Sequence, residues 1–174
     1  MPEAVLIAGA NGAGKTTFAR HFVPLAFPIA AFLNADEIQR EGGELESPLA
    51  AGRELIRRLG NVVANERDFA VETTLSSSQY ARRIPAWRTR GYTITLIFLE
   101  VPDADFAVAR VALRVAMGGH NIPEEDVRRR CARGMALFES IYRSLADVWY
   151  WYKWNGEAYE IHQHAANTPQ QGGN

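Results

Sequence analysis

Short apolar runs alternate along the chain with longer stretches in which apolar residues recur every three or four positions. Ala4-Val-Leu-Ile-Ala8 ends at Gly9 and reads as a strand buried on both faces. Ala30-Ala-Phe-Leu-Asn34, Phe69-Ala-Val-Glu-Thr73, Tyr92 to Val101 and Val148 to Trp154 read as further strands, with Tyr159 to His164 as a short extra one. Between them the period changes to that of a helix. Lys15 to Val23 predicts a helix stopped by Pro24. Ser47-Pro48 supplies an N-cap and a proline at the first helical position for residues 48–66, whose stripe is Leu55, Leu59, Val62 and Val63. Ser77 to Arg90 predicts a helix ended by Gly91. Asp103 caps another, running to Met117 and broken by Gly118-Gly119. Pro123 opens the last, with acids at 124–126 in its first turn and the stripe Val127, Cys131, Phe138, Ile141 and Leu145.

Strands that alternate with helices predict an α/β fold. The expectation is a three-layer P-loop NTPase of the nucleotide-kinase kind, with a mostly parallel five-stranded sheet and a helical lid. Residues 1–164 form one domain, and the Gln/Asn/Gly-rich tail from Ala165 is expected to be disordered. Its 174 residues suffice for one full core. A net charge of −1 carries no nucleic-acid footprint and no general attraction to anionic membranes, so neither is expected as a partner. The single cysteine, Cys131, excludes a disulfide framework and a multi-cysteine metal site. With no leader-like start and no apolar run of membrane-spanning length, the expected compartment is the cytoplasm.

Gly9-Ala10-Asn11-Gly12-Ala13-Gly14-Lys15-Thr16 fits G-x-x-x-x-G-K-[ST] between a strand and a helix. The spacing has a physical purpose. Glycines let backbone N–H groups turn inward around phosphate oxygens, and the helix that follows aims its N-terminus at the same anion. Lys15 reaches the β- and γ-phosphates of ATP, the Thr16 hydroxyl holds Mg²⁺, and Thr17 adds a bond to the α-phosphate.

Three acids stand at the carboxyl ends of strands, where open parallel sheets bind ligands: Asp36, Glu72 and Glu100. Asp36 is the candidate general base for a hydroxyl acceptor, its competing role being the cap of a helix that starts near Glu37. Glu72 is a candidate either for Mg²⁺ through water or for a substrate hydroxyl, with Thr73 beside it. Glu100 is secondary.

Cations cluster in one segment. Arg110 and Arg114 share a helix face; His120 follows in the glycine turn, and Arg128, Arg129 and Arg130 begin the next helix. Adjacent helical residues lie ~100° apart, so at most one or two of the last three can face a phosphate. Arginines on both arms of a glycine turn are what a closing lid needs. In Trp-Tyr-Trp-Tyr-Lys-Trp154 a ring near Asn155-Gly156 is a candidate to stack on adenine, against a role in the core or at a sheet edge.

These residues together resemble the zeta-toxin family of P-loop kinases in its short form. The resemblance runs from Val5 to Trp154 through Gly9 to Thr17, Asn34-Ala-Asp-Glu37, Glu72-Thr-Thr-Leu-Ser76, Gly91-Tyr, Leu96-Ile-Phe-Leu99 and Arg114…Gly118-Gly-His-Asn-Ile-Pro-Glu124…Arg128-Arg-Arg130. It implies phosphorylation of a sugar hydroxyl of UDP-N-acetylglucosamine, and restraint by an antitoxin. It implies Lys15 and Thr16 on ATP-Mg, Asp36 as base, Glu72 on the sugar and Arg114 on phosphates. Longer members carry a second lid arginine three residues before a proline. Here His120 holds that place, and Arg128, Arg129 or Arg130 is the candidate replacement.

Two other readings compete. The same fold serves a metabolic sugar or nucleoside kinase with no toxin role. An ABC-type ATPase motor shares the P-loop, and Leu75-Ser-Ser-Ser-Gln79 echoes its signature, but serines stand where that signature has glycines.

Overall fold

The computed structural model describes residues 1–27, 29, 31–42 and 47–167. Strand β1 (Glu3–Gly9) is followed by α1 (Lys15–Ala26), β2 (Ala31–Leu33), α2 (Ala35–Glu41), α3 (Pro48–Ala64) and β3 (Phe69–Thr73). Then come α4 (Ile84–Arg88), β4 (Thr93–Glu100), α5 (Ala104–Ala116) and α6 (Glu124–Leu137). A π-helical turn (Phe138–Tyr142) and a last turn, α7 (Arg143–Leu145), extend α6; β5 (Val148–Trp154) and β6 (Tyr159–Ala166) end the described chain.

One sheet runs in the order β2-β3-β1-β4-β5-β6. The first five strands are parallel, as expected, and β6 returns antiparallel along β5 as a sixth. From β1 the chain crosses to one side through β2 and β3 and to the other through β4 and β5. That reversal opens a crevice at the carboxyl end of β1. The register Ile7↔Glu72 and Ala8↔Thr73 brings the end of β3 to the crevice mouth.

Alternation along β1 divides the core into two layers. Leu6 packs with Leu55, Leu59, Phe138 and Trp149, whereas Val5 and Ile7 pack with Phe18, Val111 and Val127. α5 is capped by Asp103, which accepts from Phe106 N–H at 2.7 Å, and α3 by Ser47, which accepts from Ala50 N–H at 3.1 Å.

Several boundaries differ from the sequence reading. Pro24 lies inside α1, which continues to Ala26; so close to the end, the missing N–H forfeits one bond, and Phe27 N–H closes the turn on Val23 O at 2.8 Å. The helix expected over 77–90 shrinks to Ile84–Arg88. In its first part, which forms turns, the Tyr142 hydroxyl replaces the helical bond between Ala81 and Ser77: it accepts from Ala81 N–H at 3.2 Å and donates to Ser77 O at 2.5 Å. Ala165 and Ala166 belong to β6 rather than to a disordered tail, and Asn167 donates through its side chain to Arg143 O at 2.8 Å and Ala146 O at 2.7 Å. The expected strand residue Ala30 and the tail from 168 onward lie outside the described residues.

The π-turn places Phe138 against Phe98, ring centroids 4.4 Å apart, and Phe138 is wholly buried. Phe138→Ala is expected to destabilise the fold by ~3–5 kcal/mol, read from a urea unfolding curve of unchanged slope.

Candidate active site

The P-loop turns tightly because its glycines sit where no side chain fits. A Cβ on Gly9 would stand 2.6 Å from Leu99 O, and one on Gly12 would stand 2.7 Å from Ala107 O. The loop is thereby seated on β4 from one side and on α5 from the other. Lys15 Nζ donates to Gly9 O at 3.0 Å and Ala10 O at 2.9 Å, so its ammonium is wrapped by the loop it serves. Burial lowers its pKa, and the nearby Glu72 and Asp36 charges act in the opposite sense.

Next to it, Thr16 Oγ1 donates to Glu72 Oε2 at 3.1 Å, and Asn34 Nδ2 donates to Thr16 Oγ1 at 3.4 Å. Among the described residues, Glu72 Oε1 is buried without a hydrogen-bond partner. Burial pushes the Glu72 carboxyl up, with the Lys15 charge and the Thr16 hydroxyl opposing it. A P-loop hydroxyl beside a carboxylate with an uncommitted oxygen is a donor set that fits Mg²⁺, which takes one or two carboxylates and fills its shell with phosphate and water.

Asp36 lies in the first turn of α2. Its backbone N–H donates to Asn34 Oδ1 at 2.8 Å, so Asn34 is the cap and the Asp36 carboxylate is left for other work. Arg114 Nη1 donates to Asp36 Oδ2 at 3.2 Å, and its Nη2 donates to His120 O at 2.9 Å. Among the described residues, Arg114 Nε is buried without a partner. The His120 ring lies 3.3 Å from the Gln39 side chain.

Asp36, Glu72, Thr73, Arg110, Arg114, His120 and Arg130 meet Lys15, Thr16 and Thr17 around one cleft of about 1600 Å³. Of the arginine triplet, only Arg130 turns inward, its Nη1 3.5 Å from Asn11 Oδ1 in the P-loop. Arg128 pairs with Asp105 and Glu124, both at 2.7 Å, and Arg129 pairs with Asp126 at 2.6 Å, so both are committed to neighbouring acids and do not line the cleft. Glu100 is outside the cleft too; it accepts from Trp151 Nε1 at 2.8 Å.

Three contributors, Asn34, Gln79 and Tyr80, escaped the sequence reading. Asn34 was legible as an N-cap, since Asn stands directly before Ala-Asp-Glu. Gln79 and Tyr80 reach the cleft wall only because Tyr142 shapes their loop, and no local pattern announces that.

No family model matches the chain. An uncharacterized protein of Haemophilus influenzae is 29% identical over 131 residues, covering 74% of this chain and 91% of that one. A chain of the Pnkp1/Rnl/Hen1 RNA repair complex superposes with a TM-score of 0.65 at 22% identity, over 80% of this chain and 46% of its own. A chain of the PezAT chromosomal toxin-antitoxin system of Streptococcus pneumoniae gives 0.64 at 17% identity, over 94% and 72%. The AvrRxo1-ORF1:-ORF2 structure with ATP gives 0.72 at 13% identity, over 92% and 57%. This chain therefore spans under half of the RNA-repair chain and just over half of the AvrRxo1 chain. The fold is that of the P-loop kinases. The PezAT and AvrRxo1 chains share this fold with the chain.

The raised Glu72 pKa has a consequence for stability. Between the ordinary carboxyl value and the raised one, the folded state binds the extra proton, so stability falls as pH rises through that window. Glu72→Gln is expected to raise the melting temperature of the ligand-free protein at neutral pH, the gain fading below the ordinary carboxyl pKa. The same variant should lose the Mg²⁺ dependence of ATP binding, as measured by calorimetry with and without the metal.

Proposed function

We propose that the protein is an ATP-dependent phosphotransferase that moves the γ-phosphate to a hydroxyl of a small acceptor. The observation that carries this reading is Asp36. Its carboxylate stands free of the helix cap, paired to Arg114, in the same cleft as the P-loop. In such a site the acceptor oxygen attacks the γ-phosphorus while the bond to the β–γ bridging oxygen breaks. ADP leaves, and the hydroxyl proton passes to an Asp36 carboxylate oxygen. Lys15 neutralises the β- and γ-phosphates. Arg114, once drawn off Asp36, and Arg130, once drawn off Asn11, stabilise charge on the equatorial oxygens. Thr16, with Glu72 directly or through water, would hold Mg²⁺, which would supply further neutralisation of the phosphates.

The acceptor favoured by the resemblance is a UDP-sugar such as UDP-N-acetylglucosamine. The toxin-antitoxin context of the PezAT structure supports an antitoxin partner. The cleft, at about 1600 Å³, has room for two ligands of nucleotide size. A metabolic kinase for a sugar or nucleoside remains the second reading, since the same catalytic groups serve it. A radiolabelled-ATP transfer screen over UDP-sugars, nucleosides and free sugars, run beside a growth assay on induced expression, separates the two. Transfer to none of these acceptors defeats both.

Asp36→Asn is expected to lower kcat on the order of 10²-fold or more while leaving ATP affinity nearly unchanged. Near-full transfer would reduce Asp36 to a positioning partner of Arg114. Arg130→Ala should cost kcat on the order of 10²-fold, whereas Arg128→Ala and Arg129→Ala should stay within about twofold of wild type.

A further inference from the structure

The turn between α5 and α6 is folded back on Arg114 and tied to α2. Gly118 adopts a φ of +86°, and Gly119 N–H donates to Arg114 O at 2.9 Å. A Cβ on Gly119 would stand 2.6 Å from Arg114 Cγ and 2.8 Å from Arg114 O, so the turn can lie this close only through glycine. His120 follows and makes two contacts. Its carbonyl accepts from Arg114 Nη2 at 2.9 Å, and its Nε2 lies 3.3 Å from Gln39 Nε2. Gln39 and Asp36 are three residues apart on α2 and so share a face. Arg114 Nη1 donates to Asp36 Oδ2 at 3.2 Å, and the contacts thereby close into a ring: Asp36, Arg114, His120, Gln39 and back along α2.

We propose that Gln39 and His120 are positioning residues that latch Arg114 onto Asp36 until a nucleotide draws it away. The ring leaves one donor over. Arg114 Nε is buried, and among the described residues it has no partner. Such a donor is costly to leave unpaired, so phosphate oxygens, which accept from all sides of a guanidinium, compete well with the ring. While the ring is closed, Asp36 neutralises the guanidinium and is withheld from a hydroxyl acceptor. ATP is therefore the ligand that opens the ring, and the acceptor follows it. Gln39 sets how hard the opening is. With its side chain on the imidazole, the His120 carbonyl is pinned to α2, and Arg114 must give up that bond in order to move. With the contact cut, the turn travels with the arginine. Asp36→Asn still offers Arg114 an oxygen, so that variant keeps the ring closed. The imidazole at 120 acts on α2 and takes no part in binding phosphate.

The latch rests on the ATP reading of the P-loop, which Lys15→Ala tests separately. Dissociation constants for Mg-ATP are measured on the full chain by calorimetry. The variants are Gln39→Ala, His120→Ala, the two combined, Arg114→Ala, Gln39→Ala combined with Arg114→Ala, and Lys15→Ala. Gln39→Ala and His120→Ala should each tighten Mg-ATP binding about threefold over wild type, the scale of one partly exposed hydrogen bond. The two combined should tighten it no further, because the side chains share one contact. Once Arg114 is replaced by Ala, adding Gln39→Ala should have no effect, since the latch acts only through that arginine. If His120→Ala weakens Mg-ATP binding, the imidazole serves the phosphates and the latch is wrong. If either single variant binds Mg-ATP as wild type does, or if Gln39→Ala acts equally without Arg114, the ring does not hold the arginine. If Lys15→Ala binds Mg-ATP as tightly as wild type, the P-loop reading itself fails.

Discussion

The site depends on a half-buried lysine that, among the described residues, has no carboxylate in hydrogen-bond contact. Its hydrogen bonds among the described residues are to two carbonyls of its own loop, Gly9 O and Ala10 O. Those carbonyls point inward because the loop is pressed between the Leu99 and Ala107 backbones, a seat that admits nothing larger than glycine at positions 9 and 12. The favourable charge comes from the adjoining strand. Parallel pairing of β1 with β3 puts Glu72 beside the loop, where Thr16 binds one of its oxygens and the other has no partner among the described residues. Among the described residues Glu72 Oε1 and Arg114 Nε are buried without partners, which a polyphosphate and its cation, on the proposed reading, would supply.

The parts of this arrangement visible in sequence were those that rest on spacing along one segment. Gly9 to Thr16 announces its own geometry, and the alternation of strands and helices gives a parallel sheet with helices on both faces. The parts that stayed hidden depend on where distant segments meet. The helical angle limits how many of Arg128, Arg129 and Arg130 can reach phosphate, but the choice of Arg130 follows from the docking of α6 beside the P-loop. The acids that hold the other two, Asp105, Glu124 and Asp126, are ordinary surface residues in the sequence.

Asp36 shows a subtler case. Asp and Asn are both good caps, and Asn34-Ala-Asp36 offers one of each at neighbouring places. Asn34 takes the helix terminus and also donates to Thr16, which frees Asp36 and links α2 to the P-loop. The short α4 is an opposite failure of local reading: residues 77–83 have helical propensity, but a tyrosine hydroxyl distant in sequence takes Ser77 O and Ala81 N–H, which would pair in a helix.

The π-turn that delivers this tyrosine fixes the phase of the helix on either side of it. Gly134 lies so close to the loop after β3 that a Cβ there would meet Thr74 O at 2.5 Å, one turn beyond Arg130 on the same helix. Arg130 toward the P-loop and Tyr142 toward residues 77–81 are therefore set by a single rotational alignment. Removing one residue from the π-turn would turn the two ends against each other by ~100°, so that only one could keep its partner. Substitutions within 130–142 are limited by what each side chain touches, but a change in length there would separate the two halves of the cleft at once.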